Sequence, residues 1–528
     1  MKIVLAEKTS SAAVKLFKEE SGWTVITADQ INGDLPKQIS DADALLVRSA
    51  VDVNAGLLEH AQKLKVIGRA GVGVDNIDLD AATRLGIAVM NTPGANAVAV
   101  AEHTFALMLA LARHIVRADV TTRAGKWEKK SLQGSELRGK TLGIVGLGRV
   151  GLEVARRARA FSMEMVAHDP FVSASVAREL GIRLASLDEV YAVADYLSLH
   201  VGLTPQTTGM INADSLKKMK KGVRLVNCAR GELIDEAALG AALQSGHVAG
   251  VALDVFTEEP PKGSALLGLE NVIATPHIAG STGEAQDAVG MQIARQVKDY
   301  LKDGVIQNAV NVPSVSHDEY VEMEPYILLA ERLGAFLAQA TTGNLEEISL
   351  RYSGRIAEWK TDLIRNGAIK GILNLMLSER ANLVNAASLA QERGLRVHEA
   401  KNTETPGGWA GNVLSVLVKT NQKEMLVKGA ILHGRSPRLL AVDDIDIEAP
   451  LEHDIVYLEN RDVPGVIGKV GTVLGSHKVN IGNFALGRRA GEGSDAIAVV
   501  QVDSKVPEAA LAELRKIEAV KLAKTMRL

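Results

Sequence analysis

Residues 141–151 read TLGIVGLGRVG, an apolar run of strand character that ends in Gly146-x-Gly148-x-x-Gly151 and passes into the helical pattern LEVARR at 152–157. A glycine turn between a buried strand and a new helix lets backbone approach a pyrophosphate, and the helix offers unpaired N–H groups and the positive end of its dipole. Alone, this spacing is a weak signal. A second apolar run, 163–168, gives it context by closing on Asp169, 18 residues beyond Gly151, where the ribose-binding acid of a dinucleotide site belongs. Gly146, Gly148, Gly151 and Asp169 are therefore the first candidates for cofactor binding.

Working outward, six strand candidates alternate with helices or loops: 142–145, 164–168, 196–200, 224–227, 250–253 and 272–275. Six such strands make a doubly wound nucleotide-binding sheet. Upstream, strand-like runs at 2–5, 44–47, 66–68 and 87–90 alternate with helical patterns at 11–20 and 54–64, which predicts a second parallel α/β lobe. Thr92-Pro93-Gly94 interrupts it, and 97–117 then reads as a long helix connecting two domains. The helical run 282–303 returns the chain to the first lobe in this reading, which makes that lobe discontinuous. Beyond Asn311-Val312-Pro313 the pattern becomes α+β, and from Asp454 a strand, a Pro-Gly turn, a helix at 466–476 and a further strand predict a ferredoxin-like module. The expected fold is thus two Rossmann-like or flavodoxin-like α/β lobes, an α+β domain and a small terminal module. The expected boundaries are 1–95 with 283–312, then 96–282, 315–450 and 453–528.

Composition narrows the function classes. At 528 residues the chain is long enough for about three or four domains. A formal net charge of -3 shows no basic excess, so no nucleic-acid partner is expected. The opening MKIVLA is a strand pattern without a basic, apolar and small-residue export signal. The Ala/Leu-rich stretch 97–112 is too short to suggest a membrane span. No membrane association is expected, and a cytoplasmic setting is. One cysteine, Cys228, excludes an internal disulfide framework and any multi-cysteine metal centre. No metal is expected.

Three segments each follow a predicted strand: NCARG at 227–231, DVFTEEP at 254–260 and TPH at 275–277. Open α/β sheets gather ligands at the carboxyl ends of their strands, so these segments should converge. Nicotinamide redox chemistry on an alcohol needs a group that takes the hydroxyl proton as hydride leaves, and His277 is the candidate. Glu259 could orient its second ring nitrogen, and Arg230 could clamp a substrate carboxylate bidentately. Taken singly, each has a plainer reading: a capped turn for His277, a solvated loop acid for Glu259, a carbonyl ligand for Arg230, a small buried residue for Cys228. Only the ensemble overturns these.

The motifs GLGRVG, NCARGELID, ALDVFTEEP and TPHIAGST, with RAGVGVDNID at 69–78 and NTPGANAVAVAEH at 91–103, resemble the D-isomer-specific 2-hydroxyacid dehydrogenase family. They point to its long form, which carries an intervening domain and a C-terminal ACT domain. The resemblance implies that Arg230, Glu259 and His277 are catalytic, with His277 as general acid/base. It implies NAD contacts at Arg149, Val150, Asp169, Val201, Cys228, Ala229, Arg230, Asp254, His277, Ile278, Ala279, Gly280 and Val72. Val72 and Val201 stand where some relatives carry threonine, which removes side-chain hydrogen bonds there. A carboxylate at Asp169 would repel a 2'-phosphate, which favours NAD over NADP. Arg48, Ser49, Arg69, Gly71 and Asn96 match substrate-contact segments, together with Arg230 and His277; Lys129 and Lys130 are further candidates for phosphate charge.

The implied activity is oxidation of 3-phospho-D-glycerate to 3-phosphohydroxypyruvate, the entry to the phosphorylated route to serine. L-serine is the implied effector, at Asn460, Asp462 and Asn480, and a homotetramer is the implied assembly. Asp462 and Asn480 also read as a helix N-cap and a turn residue. In the 315–450 segment, which resembles an allosteric substrate-binding domain, Lys401, Arg435 and Arg438 are scattered candidate anion ligands. Two other functions stay open from sequence: a related 2-hydroxyacid dehydrogenase or 2-ketoacid reductase without need of phosphate, and an NAD-sensing protein-interaction module of the same fold.

Overall fold

Seven parallel strands form the sheet that carries the glycine turn, in the order Val272–Ala274, Val248–Leu253, Val223–Asn227, Tyr196–Leu199, Thr141–Val145, Glu164–His168, Arg183–Leu184. The computed structural model describes residues 1–376, 381–404, 411–489 and 495–528. It divides into two units, and this sheet belongs to the one made of Thr9–Lys15 and Thr92–Gln292. From Thr141–Val145 the chain runs outward over two strands, then returns to lay Tyr196–Leu199 on the other side of the first strand. That reversal is the switch point of a doubly wound sheet, where a crevice opens above the strand ends.

The strands are apolar because both sheet faces are covered. Leu142 and Ile144 face a cluster with Phe105, Met108, Val154 and Ala158, and Val145, Leu197 and Leu225 face one with Val190, Leu239 and Leu243. Six of the seven strands coincide with the apolar runs; Arg183–Leu184 is two residues long and too short to show a period. The predicted helix 97–117 is broken. His114 takes a left-handed conformation (φ 53°) and separates Ala97–Arg113 from Ile115–Arg123.

In the other unit, Met1–Lys8, Leu16–Asn91 and Ile293–Leu528, a five-stranded parallel sheet has the order Thr24–Ile26, Lys2–Leu5, Ala44–Val47, Val66–Arg69, Ala88–Met90. This is the flavodoxin-like arrangement. Gly68 lets residues 293–303 of the helix Gly283–Asp303 close on the sheet, since a Cβ there would lie 2.8 Å from both Ile293 and Val297 side chains. The helix His317–Ala340, capped by Ser316 and Glu319, packs along Asp362–Met376 at Gly334, Gly367 and Gly371, where any Cβ would meet the facing backbone. Beside this pair lies a six-stranded mixed sheet. The terminal module is a four-stranded antiparallel sheet ordered Ile481–Arg488, Asp495–Val502, Asp454–Arg461, Val520–Arg527. Val466–Ser476 and Glu508–Arg515 cover one face through Val470, Leu474, Leu511 and Leu514. Its Tyr457 ring meets Phe336 of the long helix edge-on at 5.2 Å.

Candidate active site

Gly146 leaves its strand at φ +94°, with its N–H on the His168 carbonyl at 2.9 Å. A Cβ there would lie 2.6 Å from the His200 carbonyl and 2.9 Å from Val201 Cγ1, and one on Gly151 would strike the Gly146 carbonyl. The turn therefore tolerates no side chain at either position. Gly148, the N-cap of Arg149–Ala160, faces open space instead. An open helix N-terminus with Arg149 and Val150 in its first turn fits a pyrophosphate. Asp169 directly follows the neighbouring strand and is fixed toward this turn: Oδ2 accepts the Leu147 N–H at 2.7 Å and Oδ1 the Phe171 N–H at 2.8 Å.

The catalytic candidates come from three further strand ends. Asn227 is fully buried; its Nδ2 donates to the Arg230 carbonyl at 2.8 Å and its Oδ1 accepts the Ala229 N–H at 3.0 Å, which shapes the turn 228–230. Gly231 follows because the Phe256 and Thr257 backbone passes where a Cβ would be. That passing loop brings Glu259 to His277: Nδ1 lies 2.8 Å from Glu259 Oε2, and Oε1 accepts the Phe256 N–H at 3.1 Å. A carboxylate only accepts, so Nδ1 carries the ring proton and Nε2 is the proton acceptor. His277 itself is left-handed, φ 52°, held by its N–H to the carbonyls of Asp254 at 2.8 Å and Thr275 at 3.0 Å.

Asp254 organises the last strand end. Its fully buried carboxylate accepts the N–H of Ile278 at 2.9 Å and of Ala279 at 2.8 Å and the Thr275 hydroxyl at 2.6 Å, with His103 Nε2 at 3.4 Å. Burial pushes this carboxyl up, but the hydrogen bonds from His103, Thr275 and the two amides outweigh it and hold the carboxyl below its usual range. Nothing in the spacing tied His103 to Asp254. Asn227, Gly231 and Thr275 stood inside motifs without a role, and His103 stood 151 residues from its partner. Burial pushes the Cys228 thiol up to about 12, which makes it a packed side chain rather than a nucleophile. Burial likewise pushes His200 down to about 4, so this imidazole, 2.8 Å from Ser198 Oγ, stays neutral.

Asn96 belongs to the same unit and lies against Gly280, where a Cβ would come 2.9 Å from Asn96 Nδ2. Its Oδ1 is buried without a hydrogen-bond partner among the described residues. Lys129 and Lys130 are exposed in an irregular turn of this unit. Arg48, Ser49, Arg69, Gly71 and Val72 belong to the other unit. Arg48 and Ser49 follow Ala44–Val47; Arg69 ends Val66–Arg69, with Gly71 against its guanidinium; the Val72 carbonyl accepts from Asn91 Nδ2 at 2.6 Å.

The remaining candidates do not converge within one chain. The strand of Lys401 is at one edge of the six-stranded sheet, and that of Arg438 lies four strands away, about 19 Å at ordinary strand spacing. In the terminal module, Arg461 pairs with Asp495 and Ile481 with Val502, which puts Asp462 and Asn480 at opposite ends of one strand, about 23 Å apart. Asn460 is 2% exposed, with its Oδ1 unpaired among the described residues. Among the described residues, no single helix is long and apolar enough to cross a membrane, and there is no cluster of three or more metal-ligating side chains.

Residues 105–279 match the D-isomer specific 2-hydroxyacid dehydrogenase NAD binding domain, 322–443 the D-3-phosphoglycerate dehydrogenase intervening domain and 455–519 the ACT domain. A D-3-phosphoglycerate dehydrogenase of Methanocaldococcus jannaschii is 40% identical over 99% of this chain and 98% of its own. The chain belongs to the D-3-phosphoglycerate dehydrogenase family. A relative of the same name from Archaeoglobus fulgidus is also 40% identical, over 98% of each chain. Among solved structures, D-lactate dehydrogenase from Aquifex aeolicus, complexed with NAD and lactic acid, aligns over 60% of this chain and 100% of its own with a TM-score of 0.52 and 30% identity. The glycine turn and Asp169 lie within the matched NAD binding domain, and the protein is an NAD-dependent oxidoreductase.

Proposed function

We propose that this protein oxidises 3-phospho-D-glycerate to 3-phosphohydroxypyruvate, as the name of its full-length relatives indicates for them. The observation that carries the chemistry is the 2.8 Å hydrogen bond from His277 Nδ1 to Glu259, which leaves Nε2 as the base. Gly146, Gly148, Gly151 and Asp169 would hold NAD+, with backbone at Arg149, Val150, Cys228–Arg230 and 277–280 around it. NAD+, when bound, supplies the hydride acceptor. Arg230 binds the substrate carboxylate and fixes C2, with Asn96 of the same unit on the rest of the anion; Arg48, Ser49 and Arg69 are the candidate substrate ligands of the other unit. His277 Nε2 takes the C2 hydroxyl proton as the C2–H bond breaks, and Glu259 steadies the resulting imidazolium. The return reaction reverses each transfer.

L-serine is the proposed effector. Because Asp462 and Asn480 lie at opposite ends of one module, a serine site using both requires two modules, Asp462 from one and Asn480 from the other. Pairing of ACT modules within a cytoplasmic homotetramer is part of the same proposal. The test is NADH oxidation by the purified chain with 3-phosphohydroxypyruvate or hydroxypyruvate, with and without L-serine. A kcat/KM that strongly favours the phosphorylated substrate, and falls with serine, is expected. Equal kcat/KM for the two substrates would instead mark a general 2-ketoacid reductase.

A further inference from the structure

One turn of the flavodoxin-like lobe is held by two polar side chains that the mechanism does not use. Lys2–Leu5 and Ala44–Val47 are parallel neighbours, with Leu5 opposite Leu46, so residues just past their ends meet. Glu7 there accepts three amides of the turn 48–51, those of Arg48, Ala50 and Val51, on one carboxylate. Oε1 takes the N–H of Arg48 at 2.7 Å, Ala50 at 3.2 Å and Val51 at 3.2 Å, and Oε2 takes Ala50 at 3.3 Å. Asn76 holds the carbonyls of the same turn, donating Nδ2 to Arg48 at 3.0 Å and Val51 at 2.6 Å. The Ala70 N–H reaches the Val47 carbonyl at 2.8 Å, which ties the turn to the segment of Arg69 and Gly71.

Convergent N–H groups of a turn form a concavity that binds anions. Here an internal carboxylate fills it, fixing the backbone of 48–51 while leaving the Arg48 and Ser49 side chains outside the clamp. Hydrogen bonds to a carboxylate are roughly twice as strong as those to a neutral cap, and three amides share this one. We propose that Glu7 is a positioning residue for substrate binding: it fixes the turn from which Arg48 and Ser49 meet the phosphorylated substrate, with Asn76 as its counterpart on the carbonyls. The proposal rests on the reading of Arg48 and Ser49 as substrate ligands. It assigns Glu7 an effect on substrate affinity and none on proton or hydride transfer.

The experiment compares full-length wild type with Glu7→Ala, Glu7→Gln, Asn76→Ala and Arg48→Ala. Steady-state kinetics with 3-phosphohydroxypyruvate and NADH, NADH affinity by fluorescence, and thermal midpoint are measured for each. Glu7→Ala should raise KM for the phosphorylated substrate about tenfold with kcat within twofold, the pattern of lost uniform binding, and leave NADH affinity unchanged. Glu7→Gln keeps one acceptor oxygen and should show a smaller rise; Asn76→Ala should follow Glu7→Ala. If Arg48→Ala raises KM and the Glu7 variants do not, Glu7 has no positioning role while the substrate reading stands. If neither moves KM, both the proposal and that reading are wrong. A Glu7→Ala protein that loses kcat, NADH affinity and thermal midpoint together would show a general fold stabiliser and overturn the proposal.

Discussion

Replacing Glu259 by glutamine removes one charge and turns one acceptor into a donor, with little change of shape. In the protein, Oε1 accepts the Phe256 N–H and Oε2 the His277 Nδ1–H. Glutamine can satisfy one of these donors and not both. With its oxygen on the imidazole, its amide N–H faces that of Phe256. With its oxygen on Phe256, the amide faces Nδ1 and drives the ring proton to Nε2, the atom that must receive one. A hydrogen bond to a charged group contributes about 1.5–3 kcal/mol, about 10- to 150-fold in rate. The side chains are 52% and 38% exposed, so solvent screening places the effect at the lower end. We expect kcat for 3-phosphoglycerate oxidation to fall about 10- to 30-fold, measured as NADH formation at saturating substrate. In a His277→Ala background the same change should add less than twofold, because its effect passes through the imidazole. A Glu259→Gln enzyme within twofold of wild type, or a tenfold further loss in the double variant, would refute the assignment.

Asp254→Asn should lower the thermal midpoint at pH 7, since an amide cannot accept from both Ile278 and Ala279. The Asp254 carboxyl is depressed in the folded chain, so its stabilisation is present above the unfolded carboxyl pKa of about 4 and is lost as pH falls through the lower folded value. The variant should therefore lose less stability than wild type between pH 5 and 3; equal losses by differential scanning fluorimetry would contradict this. Gly231→Ala forces a Cβ into the Phe256–Thr257 backbone, at a cost of about 1–3 kcal/mol. By displacing the loop of Glu259 it should reduce kcat at least as much as Glu259→Gln, and a fully active variant would show that the loop yields freely. Asp462→Ala and Asn480→Ala should each abolish serine inhibition, and co-expressed hybrids of the two should regain part of it; hybrids as insensitive as the single variants would exclude a shared site between modules.

Much of the catalytic unit was legible because its signals are local. The apolar runs that form a buried parallel sheet, the glycine turn, and the Asp169, Arg230 and His277 strand ends each occupy a few consecutive residues. Period and length set the limit: Arg183–Leu184 is too short to declare itself, and the left-handed His114 interrupts a helix whose composition stays helical. Asn54–Leu64 carried a helical pattern, yet the helix is only Ala55–Leu58, capped by Asn54.

By itself, the sequence determined the class of both α/β lobes, the dinucleotide turn, and the residue types needed for hydride chemistry on a hydroxy acid. Tertiary structure alone decided which of those groups act together. Strand order brings Glu7 to the 48–51 turn across 41 residues, Glu259 to His277 across 18, and His103 to Thr275 across 172. It also parts Asp462 from Asn480, which lie only 18 positions apart in the chain. Local pattern records backbone preference and burial, whereas a hydrogen bond between distant side chains depends on where parallel strands stop beside one another, and that is set only when the sheets assemble.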